Sequence, residues 1–220
     1  MSEDKYNAFR TVQAETQCPF AKSAIITFAR PIAAEFSAPE AAQQLYEDMA
    51  TYVQEGIATA PDGLAVALPN SVIGDDFRSL TTGFKSLYDA LKIHDGSDEE
   101  AIATENIEDP GWQLTIGGQR LFTLIFSSLY PADNPRHINE AGMTFIFFQP
   151  VESFSTRLVF DKDSTEFERV KANIRSRFAK AGLEYDGAIN DDLREAAKYL
   201  SPQHIGMPVV EWWKSDRLEA

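Results

Sequence analysis

The chain has 220 residues, 34 acidic against 20 basic side chains for a net charge of −14, and 44% hydrophobic and 11% aromatic content. That length suits one domain, the core-forming content excludes a disordered acidic chain, and the excess negative charge argues against nucleic acid and anionic membrane surfaces. No apolar run approaches the ~20 residues of a membrane span, the N-terminus MSEDKYNAFR has no signal-peptide pattern, and the lone Cys18 rules out an internal disulfide, so a cytoplasmic protein with a small cationic or uncharged partner is expected.

In chain order, Tyr6, Phe9 and Val12 are spaced for a short helix in an N-terminal stretch that ends near residue 16. Ile25 to Ala29 is β-branched and aromatic and stops before Pro31, which predicts a strand. Ser37-Ala38-Pro39-Glu40 has the form of a capping box, and a helix is predicted from Pro39 to Ala58 with Ala42, Leu45, Met49, Tyr52 and Val53 on one face. Gly63 to Leu68 predicts a second, buried strand. Asp75 and Asp76 suit the positive end of a following helix whose apolar face carries Phe77, Leu80, Phe84, Leu87, Tyr88 and Leu91. The acidic stretch Asp95 to Asp109 lacks calcium-loop spacing and is expected to be a solvated loop.

Trp112 to Ile116 alternates apolar and polar residues, Gly117-Gly118 is a two-residue hairpin signal, and Gln119 to Ser128 continues the strand pattern. After the loop Tyr130 to Gly142, Met143 to Phe148 is apolar on both faces, as a central covered strand requires. Asp163 to Ala181 predicts a helix with Phe167, Val170, Ile174 and Phe178 in one stripe and Gly182 as its stop. Asp191 to Tyr199 predicts a last short helix. Trp212 and Trp213 suit a core edge, a homodimer contact or a stacking surface. With no repeat and no dividing linker, the pattern predicts one domain over residues 1–220, of class α+β, with a largely antiparallel sheet and flanking helices.

No P-loop, nucleophile elbow or HExxH is present, and no G-x-G-x-x-G follows a strand. Two places carry chemistry. Cys18-Pro19 precedes a turn or helix start with Lys22 nearby, so its thiol is either a small buried hydrophobe or a thiolate able to act as nucleophile or soft metal ligand. The loop Leu129 to His137 gathers a phenol, a guanidinium and an imidazole between two apolar strands, and long loops inside compact domains are often functional. His94 falls at a helix end, and neither His94 nor His204 belongs to a local motif.

Cys18-Pro19-Phe20-Ala21-Lys22-Ser23-Ala24, then Asp109-Pro110-Gly111-Trp112, Leu114 to Phe122 and the Tyr130-Pro131 loop resemble the YqcI/YcgG family of haem-dependent N-oxygenases. Phe147-Phe148-Gln149-Pro150, Ile174 to Arg177, Gly187 to Asn190 and Glu195 to Tyr199 follow the family's order. Departures accompany the likeness: Tyr130-Pro131 stands for a frequent His-Pro, Gln149-Pro150-Val151 for Asn-Pro-His, and no Cys-Pro-Phe follows Trp213. The resemblance implies haem b and a monooxygenase that N-hydroxylates an amino acid or guanidine with molecular oxygen and an external electron donor. It implies Cys18 as axial iron ligand, with His137 as the alternative, since a thiolate pushes electron density toward O–O cleavage. Lys22, Arg120 and Arg136 become candidates for haem propionates or a substrate carboxylate, Tyr130 for the distal pocket, and Phe126, Phe145 and Phe147 for apolar walls. A haem- or gas-binding protein without turnover and a haem-free interaction module are the competing expectations, and a homodimer is left open.

Overall fold

The computed structural model describes residues 4–153 and 165–217. Its centre is one five-stranded sheet in the order β1-β2-β5-β4-β3, formed by β1 (Ile26–Phe28), β2 (Gly63–Pro69), β3 (Leu114–Ile116), β4 (Gln119–Ser127) and β5 (Met143–Pro150). Only the edge pair β1 and β2 is parallel; every other pairing is antiparallel, as the α+β expectation requires. β5 lies between β2 and β4, with Val66 and Ile125 both opposite Ile146, so its two-sided apolar character reflects a central position covered on both faces.

The two faces bury different chemistries. On one, Leu64, Val66, Leu68, Ile146, Phe148, Leu121 and Ile125 meet helices α3 (Ala38–Thr51) and α5 (Phe77–His94) in the larger core. On the other, Phe145, Phe147 and Ala67 pack beneath the N-terminal helix α1 (Asn7–Glu15), through Phe9 and the preceding Tyr6. This second layer is largely aromatic: the Phe9 ring lies 5.5 Å from Phe126, 5.7 Å from Phe145 and 6.0 Å from Phe147.

Local chemistry explains most boundaries. The Glu40 carboxylate accepts the Ser37 N–H at 2.8 Å, closing the capping box of α3, and Asp76 accepts the Ser79 N–H at 2.8 Å to start α5. α3 ends at Thr51, short of the expected Ala58, in a π turn over Tyr52–Gly56. A Cβ on Gly56 would come within 2.5 Å of the Tyr52 ring, so glycine lets that ring fold back and donate its hydroxyl to Ala60 O at 2.8 Å. Gly117 (φ 58°) and Gly118 (φ 77°) occupy the left-handed conformation that a two-residue hairpin turn between β3 and β4 demands.

Two expectations are corrected. The acidic stretch holds a helix, α6 (Glu99–Thr104), because Asp98 caps the Ala101 N–H at 2.8 Å and Glu99 and Glu100 sit at its positive end; Ile102 and Ile107 then anchor it to the core. The helix expected over Asp191 to Tyr199 is displaced. Asp186 caps an earlier helix, α8 (Gly187–Asp191), and the Asp192 carboxylate then accepts the Arg194 N–H at 2.8 Å, an Asx turn that competes with helix and leaves only a 3-10 turn at Glu195–Lys198. Between them in the chain, α7 (Thr165–Lys180) ends before Gly182 at φ 74°. The expected start of α7 at Asp163 and Ser164, and the side chain of Phe167, lie outside the described residues.

Trp212 closes the larger core. It is fully buried, stacks 9° from parallel with Tyr199 and donates Nε1–H to Ala196 O at 2.9 Å. Trp213 remains at the surface beside Arg194, with Nε1–H donated to Glu108 at 3.3 Å. No helix among the described residues is long and apolar enough to cross a membrane.

Candidate functional site

The loop after β4 organises the site. Asn134, 6% exposed, donates Nδ2–H to Gln203 O at 3.0 Å and Pro202 O at 3.4 Å, while its Oδ1 accepts the Arg136 N–H at 2.9 Å. One amide thereby ties the loop to the C-terminal segment and shapes its own turn. Ser127 and His137 form an isolated bridge, and the Ile138 N–H reaches Ser127 O at 3.2 Å, so the loop returns alongside the end of β4.

His137 is partly buried, and its Nδ1 lies 2.7 Å from the main-chain oxygen of Tyr130. A carbonyl accepts only, so Nδ1 carries the proton of this contact and Nε2 is the ring nitrogen left over, the arrangement in which a carbonyl orients a histidine for metal binding. The ring lines a cavity of about 280 Å³ formed by α1, this loop and the end of α7. Ala8, Val12, Ala132, Pro135, Phe178 and Leu183 supply the apolar half of the wall, and among the described residues Glu15, at the negative end of α1, is the only carboxylate in the lining.

Cys18 is the residue before the short helix α2 (Pro19–Lys22), with a partly buried, free thiol and its N–H donated to Thr16 Oγ1 at 3.3 Å. Thr16 lines the cavity, whereas Cys18 does not. The thiol stands instead near Tyr185, whose phenol is pushed above its ordinary value by burial first and then by Cys18. Tyr185 in turn stacks on the cavity residue Phe178 at 4.7 Å.

The other sequence candidates separate. Tyr130 is 2% exposed and donates its hydroxyl to Ser201 O at 3.0 Å; burial pushes its pKa up, and it packs edge-on against Phe77 in the larger core, lining neither cavity. Its contribution is the main-chain oxygen that holds His137. Arg136 donates to Tyr199 O at 2.7 Å and Lys198 O at 2.6 Å, closing the 3-10 turn, and burial pushes its pKa down. It lines a second, smaller pocket on the far side of Asn134 and Pro135. Lys22 is exposed at the end of α2. Arg120 is not brought to this site: it pairs with Glu152 at 3.2 Å at the opposite end of β4, roughly 23 Å along the strand from Ser127. Phe126, Phe145 and Phe147 belong to the aromatic layer under α1, adjoining the cavity without lining it.

The sequence model of the YqcI/YcgG family matches residues 6–203. The chain belongs to that family. No curated protein and no solved structure matches it. The YqcI/YcgG match takes in α1, Cys18, the hairpin and the whole 130–139 loop, so both walls of the larger cavity lie inside it, while Trp212 lies beyond. Asn134, Glu15 and Tyr185 carry no motif signal; they join the site only through contacts made by folding.

Proposed function

We propose that this YqcI/YcgG protein is a haem-dependent oxygenase that N-hydroxylates an amino acid or guanidine, with His137 as the iron ligand. The observation that carries the reading is the imidazole whose Nδ1–H is committed to Tyr130 O at 2.7 Å while the ring lines a cavity of mixed polar and apolar wall. The features that support an iron porphyrin here are one oriented nitrogen, an aromatic wall at Phe178 and aliphatic contacts from Ala8, Val12 and Leu183, beside the polar Thr11, Thr16 and Asn139. Cys18, the ligand implied by resemblance, is not among the residues that line the cavity and becomes the secondary choice.

When bound, the haem would supply oxygen activation, with electrons from an external donor. The chain's own contributions are separate. Tyr130 O fixes the ring plane and tautomer of His137, and Val12, Phe178 and Leu183 supply apolar wall beside it. Glu15 and the last carbonyls of α1 present negative charge at the rim, which favours a cationic substrate, and the −14 net charge assists its encounter.

Purified protein should take up one haem per chain. His137→Ala should lose haem retention or shift the ferrous–CO spectrum, whereas Cys18→Ala should leave both unchanged. Protein that stays colourless with added haem, or a His137→Ala spectrum identical to the parent, overturns the assignment; a spectral change confined to Cys18→Ala restores the thiolate ligand. Haem uptake without substrate-dependent oxygen consumption across amino acids and guanidines leaves a haem or gas carrier.

A further inference from the structure

The smaller pocket, about 50 Å³, opens where three chain segments meet: the 130–137 loop, the turn after α7 and the segment after Ser201. At its edge Asp133, Glu184 and His204 each place one ligand atom within 4.8 Å of the others. We propose that these three side chains form a site for a divalent first-row transition ion, distinct from the His137 cavity.

The donor chemistry selects the class of ion. An imidazole nitrogen with two carboxylate oxygens suits Zn²⁺ and its neighbours, while Ca²⁺ and Mg²⁺ favour oxygen-only shells. The spacing is close to ready: oxygen and nitrogen donors about 2.1 Å from a tetrahedral ion lie about 3.4 Å apart, and His204 Nδ1 already stands 3.6 Å from Glu184 Oε2. The two carboxylates offset the charge of a divalent ion. Among the described residues, no lysine or arginine ion pair does that for either Asp133 or Glu184.

The main chain holds the donors in place independently of any ion. Glu184 N–H donates to Asp133 O at 2.8 Å, and Asn134, next to Asp133, donates to the oxygen of Gln203, next to His204. Three protein ligands leave positions open, and the pocket they border has room for water to fill them. His204 lies one residue past the stretch that the family model matches. An ion here would clip the loop that carries His137 to both C-terminal segments.

The test is calorimetric titration of the full chain, stripped with chelator, with ZnCl₂ and with CaCl₂ and MgCl₂ in parallel. One Zn²⁺ per chain is expected, with no competition from equimolar Ca²⁺ or Mg²⁺, and slower hydrogen exchange in residues 130–137. His204→Ala, and separately Asp133→Asn with Glu184→Gln, should weaken Zn²⁺ by about tenfold or more, while Cys18→Ser and His137→Ala should bind Zn²⁺ as the parent does. Thermal melts establish that each variant is folded; His204, with its side chain 55% exposed, is replaceable without opening a core. No Zn²⁺ binding, unchanged affinity in His204→Ala, or loss of binding in His137→Ala would each overturn the proposal, whatever the haem experiments return.

Discussion

Asn134 and Gln203 stand 69 residues apart in sequence and are joined by one hydrogen bond, from the Asn134 Nδ2 to the Gln203 main-chain oxygen at 3.0 Å. The same buried amide orients the turn leading to Arg136 and His137. Asn134→Ala strands the Gln203 and Pro202 carbonyls and frees the Arg136 N–H. A loss of about 1–3 kcal/mol is expected, the usual cost of leaving buried polar groups without partners. Urea unfolding measures it, and hydrogen exchange should show faster exchange at His137 than in the parent.

Arg136 offers a sharper distinction. Its guanidinium grips two carbonyls, Tyr199 O and Lys198 O, from one planar fork, which a lysine ammonium cannot reproduce. Arg136→Lys should destabilise by about 1–3 kcal/mol yet leave haem affinity unchanged, since the side chain faces the smaller pocket. Haem loss without a fall in unfolding midpoint would return Arg136 to the cofactor site.

Alkaline pH addresses the aromatic layer. Tyr6 donates its hydroxyl to Ala29 O at 2.7 Å and accepts the Ala67 N–H at 3.2 Å, and burial is the main cause raising its pKa from 10.0 to about 12. The folded state therefore holds the proton more tightly than the unfolded chain. That contribution is complete below pH 10.0 and is lost as pH climbs to about 12. Over that window Tyr6 should account for a fall of about 2–3 kcal/mol, and Tyr6→Phe should flatten the curve there while lowering stability at neutral pH. An equally steep curve in Tyr6→Phe would place the titrating group elsewhere.

Gly83 sits within α5, where helix propensity alone favours alanine by about 1 kcal/mol. A Cβ there would stand 1.9 Å from Ile73 O in the helix α4 (Asn70–Ile73), a backbone atom that cannot step aside. Overpacking costs typically about 1–3 kcal/mol and more when backbone must move, so the clash wins. Gly83→Ala should lower the melting temperature; a rise would mean that α4 yields freely.

Sequence reading recovers the elements whose signals are local. The α3 capping box, the Gly117-Gly118 hairpin and the two-sided apolar run of β5 all stand where spacing places them, because each is fixed within a few residues. What it misses is of two kinds, local choices between competing turns and side-chain roles set by partners far along the chain. Asp98 and Asp192 are both acids in polar stretches, and only their hydrogen bonds reveal that one starts a helix and the other interrupts one. At the site, composition puts Tyr130, Arg136 and His137 together, but their division of labour follows from distant groups: Ser201 takes the Tyr130 hydroxyl and the 3-10 turn takes Arg136, which leaves His137 facing the cavity. Arg120 looked equivalent to Arg136 as a cation, and strand length alone separates them.

Trp212 sets a temporal order on folding. Its ring contacts Phe84 and Tyr88 of α5, residues synthesised more than a hundred positions earlier, and stacks on Tyr199. A nascent chain that has made its whole sheet and the helices α3, α5 and α7 still exposes that aromatic socket. The larger core thus cannot be finished from the N-terminus forward as the ribosome proceeds; it waits for one late-arriving indole.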